Sequence, residues 1–213
     1  MTDPIVVKQQ SHLPEKHAKQ LREIYIDSFP SFERLDFSSL IKSIASGQRW
    51  LYAATRGKNL LGMAIIVPCI ASDFHLLEYL AVARNARGDG IGGVILSSII
   101  SAMCATGTVN GLMLEVECDE EGTADERHLR ARRIEFYRRV GANVVECAPY
   151  YRVPLTDRAG TMRMKLLWIA INANAKTPHG AKLRECICGI FEKSYALGAD
   201  SSLCQSNLEE LLC

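Results

Sequence analysis

The residues with the clearest capacity for chemistry form a glycine-rich segment, Arg87–Gly93, with the sequence R-G-D-G-I-G-G. It follows an apolar run at residues 76–82, typical of a buried strand, and leads into a helical pattern from Gly90 onward. A glycine-rich turn that opens a helix leaves several backbone N–H groups unpaired at the positive end of the helix dipole. Such a turn favours phosphate binding, and an arginine can grip a pyrophosphate through two parallel hydrogen bonds. The candidate phosphate-binding residues are Arg87, Gly88, Asp89, Gly90, Ile91, Gly92 and Gly93.

Two patterns fit this segment, and they predict different ligands. The stretch from Gly88 to Gly93 matches G-x-G-x-x-G, the dinucleotide fingerprint, and Glu115 or Glu117 lies near the distance of about 20 residues expected of a ribose-binding acid. That fingerprint requires its first glycine close behind the strand, whereas residues 83–87 intervene here. The same segment also matches Arg-x-x-Gly-x-Gly, and the rest of the chain favours this second pattern.

The elements that must position the segment alternate between strands and helices, which predicts one layered α/β sheet. Strands are expected at residues 5–8, 50–55, 61–67, 74–82, 112–118, 143–153 and 162–171. Helices are expected at residues 12–28, 36–45, 90–104, 126–140 and 178–197, followed by a polar tail. Residues 56–59 have the composition of a hairpin turn between the second and third strands.

A second motif ends the predicted helix at residues 126–140. It reads F-Y-R-R-V-G-A from Phe136 to Ala142, which resembles the F-Y-x-x-x-G-[FA] helix end of the GNAT superfamily of N-acetyltransferases. The strand end Leu80-Ala81-Val82 followed by Arg-x-x-Gly-x-Gly resembles the acyl-CoA pyrophosphate loop of the same family. Both motifs occur in family order at the usual separation, so we interpret residues 1–171 as a GNAT-like domain.

The resemblance implies a twisted mixed α/β (α+β) sheet of about seven strands with flanking helices. Its two central parallel strands would splay apart, and acetyl-CoA, as co-substrate, would lie in the resulting cleft. The backbone of Leu80, Ala81 and Val82 and the segment Arg87–Gly93 would hold this cofactor. Arg130 stands where family members often carry an asparagine that contacts the cofactor, so it could pair with a CoA phosphate or simply belong to a solvated helix face. Residues 172–213 are expected to form a helical extension packed on the same domain.

Acetyl transfer to an amine needs a base, because an amine with a pKa near ~10.4 is almost wholly protonated at neutral pH. Glu78 is the first candidate for this base, directly or through a water. It is the only acid inside its strand, and its parity matches Leu80 and Val82; the alternative role is a structural ion pair. Glu115 and Glu117 on the next strand are rival bases or ligands for a cationic acceptor. They could equally belong to a solvated acidic run.

Two further groups complete the expected mechanism. Backbone N–H groups near Leu80 and Val82 would stabilise the negative charge on the thioester oxygen. Tyr137 often corresponds in the family to a tyrosine beside the cofactor sulfur, so it is expected to protonate the departing thiolate; its alternative role is to pack the helix on the sheet. A non-catalytic acyl-CoA-binding or sensor module on the same fold, and a nicotinamide-dependent Rossmann enzyme, remain the competing interpretations.

Composition limits the partners that we expect. A net charge of +1 gives no reason to expect a nucleic-acid surface. The uncharged stretch at residues 90–114 is better explained by a helix and a strand than by a membrane span, so no membrane partner is expected. The eight cysteines lack metal-ligand spacing, and a reducing cytoplasm is the simplest setting for them. The expected acceptor is a small-molecule amine or a peptide amine, no metal is expected, and a homodimer is left open.

Overall fold

The computed structural model describes residues 3–69 and 73–213. The helices in this part of the chain are α1 (Glu15–Ser28), α2 (Phe37–Ala45), α3 (Ile91–Thr106), α4 (Ala124–Arg139), α5 (Gly180–Tyr195) and α6 (Ser202–Glu209). The strands are β1 (Val6–Gln10), β2 (Trp50–Arg56), β3 (Asn59–Cys69), β4 (Phe74–Val82), β5 (Gly111–Glu117), β6 (Ala142–Val144), β7 (Arg152–Pro154) and β8 (Thr161–Ala170). Short 3-10 turns at Ser31–Glu33 and Arg84–Ala86 precede α2 and α3.

The strands form a mixed sheet that is mostly antiparallel with a parallel pair, which confirms the predicted fold class. The strand order is β1-β2-β3-β4-β5-β8-β6, and β7 pairs with β8. β2 and β3 form an antiparallel hairpin in which Arg56 pairs with Asn59. The turn predicted from composition at residues 56–59 is therefore confirmed.

The segment predicted as one strand at residues 143–153 is instead two short strands, β6 and β7. Between them the chain turns, with the Ala148 N–H donating to the Val145 carbonyl at 3.1 Å and the Tyr151 N–H donating to the Ala148 carbonyl at 3.4 Å. Pro149 lies within this turn, and proline cannot donate to a strand ladder. Within residues 3–69 and 73–213, the sheet therefore has eight strands where about seven were expected.

The tail after α5, for which only a polar composition was predicted, contains α6. Its buried residues are Cys204, Asn207 and Leu208, which recur at the three- and four-residue spacing of a helix face. Sequence analysis missed this helix because one of the three inward residues is polar and the apolar pattern is only about two turns long.

By contacts, the chain divides into two compact units. The first consists of the chain up to Pro68, Leu77–Ala105 and Thr156–Arg158, and the second consists of the other described residues. β4 begins in the second unit and continues in the first from Leu77 onward.

The core of the first unit includes one face of α1 and one face of α2. The buried residues of these helices include Leu21, Ile24, Tyr25, Leu40 and Ile44. They belong to one cluster with apolar residues of β2, β3 and β4, against which the partly buried Phe29 and Phe37 pack. The two helices therefore pack on the sheet through their buried faces.

In the second unit, α5 and α6 are attached to the strands by specific hydrogen bonds. The buried Asn207 of α6 accepts the Arg152 N–H at 2.7 Å and donates to the Arg152 carbonyl at 2.9 Å. In α5, Arg184 donates to the Leu208 carbonyl at 3.0 Å. After α6, the Leu212 N–H donates to the Cys147 carbonyl at 2.9 Å. Residues 180–213 thus fix the position of α6 against α5 and β7.

Among the described residues, none of the helices combines the length and the apolarity needed to cross a bilayer.

Replacing Asn207 with alanine should destabilise the protein by about 2 kcal/mol, because backbone groups of Arg152 would lose their buried partners. Urea unfolding measures this change as a lower midpoint. The matched control is Gln205→Ala on the exposed side of α6, which should change the free energy of unfolding by less than about 0.5 kcal/mol. Equal midpoints for the two variants would show that Asn207 does not hold α6 in place.

Candidate functional site

The glycine-rich segment connects the end of β4 to the start of α3, as the sequence predicted. Gly88 and Gly90 have φ angles of +96° and +74°, which an L side chain rarely adopts. Among the described residues, no heavy atom lies within 4 Å of a Cβ built at Gly88, Gly90 or Gly93. The start of α3 therefore opens to solvent and is not filled by side chains.

The backbone at the start of α3 has the donors that an anion site requires. The first bond of the helix runs from the Val94 N–H to the Gly90 carbonyl at 3.2 Å. The amides of Ile91, Gly92 and Gly93 precede this bond, so they have no acceptor within the helix. A helix start of this kind presents several N–H groups and a positive dipole end to one ligand.

Arg87 is held beside this loop by neighbours that the sequence did not predict. Its Nε donates to the Val82 carbonyl at 3.1 Å, and its Nη2 lies 3.2 Å from the Ser28 hydroxyl and 3.5 Å from Asp27. Arg84 pairs with the other oxygen of Asp27 at 2.7 Å. The Arg87 side chain remains about half exposed. Exposed ion pairs contribute little to stability, so a phosphate could replace Asp27 as a partner of Arg87 at small cost.

β4 confirms the alternation on which the assignment of Glu78 depends. Tyr79 and Ala81 are buried in the core of the first unit, whereas Glu78, Leu80 and Val82 are only partly buried. Since successive side chains of a strand point to opposite faces, the last three share one face of the sheet.

Glu78 forms a bidentate ion pair with Arg49. The Nε and Nη2 atoms of Arg49 donate to the two carboxylate oxygens at 2.6 and 2.7 Å, and both side chains are 7% exposed. Burial by itself would lower the pKa of Arg49, but the hydrogen bond and the charge of Glu78 outweigh it and raise that pKa. This geometry corresponds to the ion-pair alternative left open for Glu78. Arg49 was missed because its partner lies 29 residues away in the sequence.

Glu115 lies in the second unit, and both of its oxygens accept hydrogen bonds from tyrosines. The Tyr151 hydroxyl donates at 2.5 Å and the Tyr195 hydroxyl at 2.8 Å. Burial, followed by the charge of Glu115, raises the pKa of Tyr151 well above its usual value, so Tyr151 stays protonated as a donor. Sequence analysis named neither tyrosine, because they lie far from Glu115 along the chain.

Glu117 is paired with two arginines of α4. Arg130 Nε donates to one oxygen at 3.1 Å, and Arg133 Nη1 donates to the other. Arg130 also donates to the carbonyls of Cys118 at 3.3 Å and Glu121 at 2.6 Å, and its side chain is 16% exposed. In the described structure, Arg130 therefore connects α4 to the end of β5.

Tyr137 is buried in the second unit at the end of α4. Burial raises the pKa of its phenol to about 12, although the positive charge of Arg133 acts in the opposite direction. The phenol thus keeps its proton throughout the neutral range.

The helix break after α1 contacts the loop between β7 and β8 within the first unit. The Thr156 N–H donates to the Phe32 carbonyl at 2.9 Å, and the Ser31 hydroxyl donates to Asp157 at 2.6 Å. The Arg158 guanidinium lies 4.6 Å from the centre of the Phe32 ring. No local sequence pattern pairs these segments, so sequence analysis missed this contact.

The described residues contain one group of side chains with metal-ligand spacing, formed by Cys118, Asp119 and Glu120. The Lys165 ammonium lies 2.6 Å from Asp119 and 3.1 Å from Glu120. The two carboxylates therefore already have a cationic partner.

Comparison with solved structures shows the same fold in proteins with low sequence identity. A GNAT-family protein from Bacteroides thetaiotaomicron matches with a TM-score of 0.72 and 18% identity, over 89% of this chain and 99% of that one. An aminoglycoside 6'-N-acetyltransferase complexed with coenzyme A has a TM-score of 0.60 and 17% identity, over 82% and 99% of the two chains. The ribosomal-protein-S18-alanine N-acetyltransferase from Escherichia coli has a TM-score of 0.56 and 17% identity, over 83% and 100%.

Among curated protein sequences, none matches the chain significantly. The model of the acetyltransferase (GNAT) family, in contrast, matches residues 18–142, which is more than half of the chain and includes β4, the glycine-rich segment and Tyr137. The chain therefore belongs to the GNAT family of acetyltransferases.

Proposed function

We propose that this acetyltransferase moves an acetyl group from acetyl-CoA to a primary amine by direct attack in a ternary complex. The observation that carries the proposal is the open start of α3, where the amides of Ile91–Gly93 lack acceptors within the helix and the flanking glycines leave room for a ligand. The acceptors of the two named acetyltransferases of similar fold support an amine substrate, since they are an aminoglycoside and the alanine of a ribosomal protein.

Acetyl-CoA supplies the thioester that the amine attacks. The residues after β4 are suited to bind the diphosphate of this co-substrate. The backbone amides at the start of α3 bind the negative charge, and Arg87 adds a guanidinium that is exposed enough to reach it. At the end of this strand, Leu80 and Val82 lie on the partly open face of β4, and the strand end orients the rest of the cofactor. The backbone N–H groups near Leu80 and Val82 stabilise the negative charge that forms on the thioester oxygen when the amine attacks.

Glu78 receives the proton of the attacking amine in this proposal. Both carboxylate oxygens already accept hydrogen bonds from Arg49, so the proton reaches Glu78 through a water or after one of these bonds lengthens. Arg49 holds the carboxylate in one orientation on the face that Glu78 shares with Leu80 and Val82. Glu78 thus acts as a general base, and general base catalysis typically raises the reaction rate by about 10²- to 10⁴-fold.

Tyr137 donates a proton to the departing thiolate. A phenol with a pKa of about 12 is fully protonated at neutral pH, so it is in the correct state to act as an acid. The thiol that it regenerates has an ordinary pKa near ~8.5, so the thiolate leaves readily and the benefit lies at the low end for general acid catalysis.

The second candidate function is an acyl-CoA-binding or sensor module without turnover. The observation that favours it is that Glu78, Glu115 and Glu117 each have donors on both carboxylate oxygens. Such a module would bind acetyl-CoA but release no thiol with any amine. A screen of polyamines, aminoglycosides, amino acids and peptide N-termini, with thiol release as the readout, separates the two functions.

Arg87→Gln should raise the dissociation constant for acetyl-CoA by about 10- to 100-fold, because a charge-assisted hydrogen bond to phosphate is lost. Isothermal titration calorimetry measures this directly. Arg84→Gln is the matched control, since Arg84 pairs with the same Asp27 yet lies outside the motif. The Arg84→Gln variant should bind acetyl-CoA with the dissociation constant of the wild type. If both variants bind like the wild type, Arg87 does not contact the phosphates.

Tyr137→Phe should lower kcat by about 10²-fold and leave the dissociation constant for acetyl-CoA unchanged. Because the pKa of Tyr137 is about 12, the ratio of wild-type to variant kcat should stay constant from pH 6 to pH 10. The control is Tyr150→Phe, an exposed tyrosine that should retain full activity. A variant as active as the wild type would assign Tyr137 to packing alone.

Glu78→Gln should lower kcat/KM by about 10²-fold or more, and it should also lower stability by about 3 kcal/mol because Arg49 loses a buried anion. The double variant Arg49→Gln/Glu78→Gln separates these effects, since it removes both charges. We expect it to recover most of the thermal stability but none of the activity. Recovery of both would show that Glu78 serves the fold and not the chemistry.

A further inference from the structure

The second unit contains two pairs of contacting thiols, and they differ in exposure. All eight cysteines of the chain are free. The Cys147 thiol lies next to that of Cys213, and the Cys188 thiol lies next to that of Cys204. Cys213 is exposed and Cys147 is partly exposed, whereas Cys204 is completely buried.

Backbone geometry holds the first pair in place. The Leu212 N–H donates to the Cys147 carbonyl at 2.9 Å, so the residue next to Cys213 is already attached to Cys147. A disulfide requires Cα atoms within about 7 Å and side chains directed at each other. Thiols that already lie next to each other across such a contact need little movement to approach a bonded distance.

The sulfur of Cys213 is also held at the start of α5. The Gly180 N–H, the first amide of α5, donates to Cys213 Sγ at 3.2 Å. The residue before it, His179, provides no side-chain cap for this helix, so the cysteine sulfur takes the position of a cap.

We propose that Cys147 and Cys213 form a reversible disulfide that fastens the segment after α6 to the connection between β6 and β7. With hydrogen peroxide as the oxidant, the Cys213 thiolate attacks one oxygen, the O–O bond breaks, and a sulfenic acid and a hydroxide ion form; the hydroxide takes a proton from the solvent to give water. The Cys147 thiol then attacks the sulfenic sulfur and releases a second water. Two electrons pass from the sulfurs to the peroxide, and a dithiol reductant reverses the reaction.

The second pair of thiols provides an internal comparison. Cys204 is completely buried, so peroxide has little access to its sulfur, and burial raises the pKa of its thiol to about 12. Cys213, in contrast, is exposed, so the pair Cys188–Cys204 should resist oxidation under conditions that oxidise Cys147 and Cys213.

Peptide mapping of the full chain distinguishes the two pairs. After treatment with peroxide at pH 8 and low protein concentration, tryptic digestion without reductant should link peptide 140–152 to peptide 194–213. The link should disappear in Cys147→Ser and in Cys213→Ser, and should persist in Cys204→Ala. A link between peptides 185–193 and 194–213, or a disulfide-linked dimer on a non-reducing gel, would overturn the proposal.

Thermal unfolding tests the consequence for the fold. Closure of a long loop should raise the Tm of the oxidised protein by about 5–10 °C over that of the reduced protein. The difference should vanish in Cys147→Ser, whose Tm should be insensitive to peroxide. An oxidised protein that contains the disulfide but has the Tm of the reduced form would show that the bond does not fasten the segment.

Discussion

The register of β4 is the constraint on which the rest of the first unit depends. Tyr79 and Ala81 are packed in the core with α1 and α2, and this burial fixes which residues of the strand face the other way. A shift of one residue would move Glu78 into the core and Tyr79 out of it, at the cost of burying a charge and exposing an aromatic ring. The hydrogen bond from the Leu35 N–H to the Tyr79 hydroxyl at 3.2 Å further specifies this register. The same strand then delivers its last residue, Val82, to the loop that opens α3.

Each of the three candidate carboxylates accepts hydrogen bonds from charged or hydroxyl side chains. Glu78 faces the buried guanidinium of Arg49, Glu117 faces two arginines of α4, and Glu115 accepts from the hydroxyls of Tyr151 and Tyr195. A buried ion pair contributes little net stability compared with apolar side chains of the same volume, but it is costly to break. These carboxylates are therefore held in one orientation, and their oxygens are already occupied by hydrogen-bond donors. For any of them to accept a proton during catalysis, a water must carry the proton or one of these donors must move away.

The C-terminal helices are part of the second unit and are attached to it at several points. Tyr195 at the end of α5 bonds to β5, Asn207 of α6 bonds to β7, and Leu212 bonds to the turn that contains Cys147. Because each contact joins residues that are distant in sequence, the segment constrains strands that local turns alone would leave loosely connected. Because the segment is attached beside Cys147, the thiols of Cys147 and Cys213 lie next to each other although they are distant in the sequence.

The sequence alone determined the features that depend on neighbouring residues. The alternation in β4, the hairpin at residues 56–59, the helix starts and the glycine-rich loop follow from local periodicity and from the backbone freedom of glycine, so the fold class and the family could be predicted. Tertiary structure alone decided which partners meet the candidate acids. Arg49 lies 29 residues from Glu78, and Tyr195 lies 80 residues from Glu115. Hydrogen bonds and ion pairs of this kind depend on distance in space, which no spacing along the chain encodes.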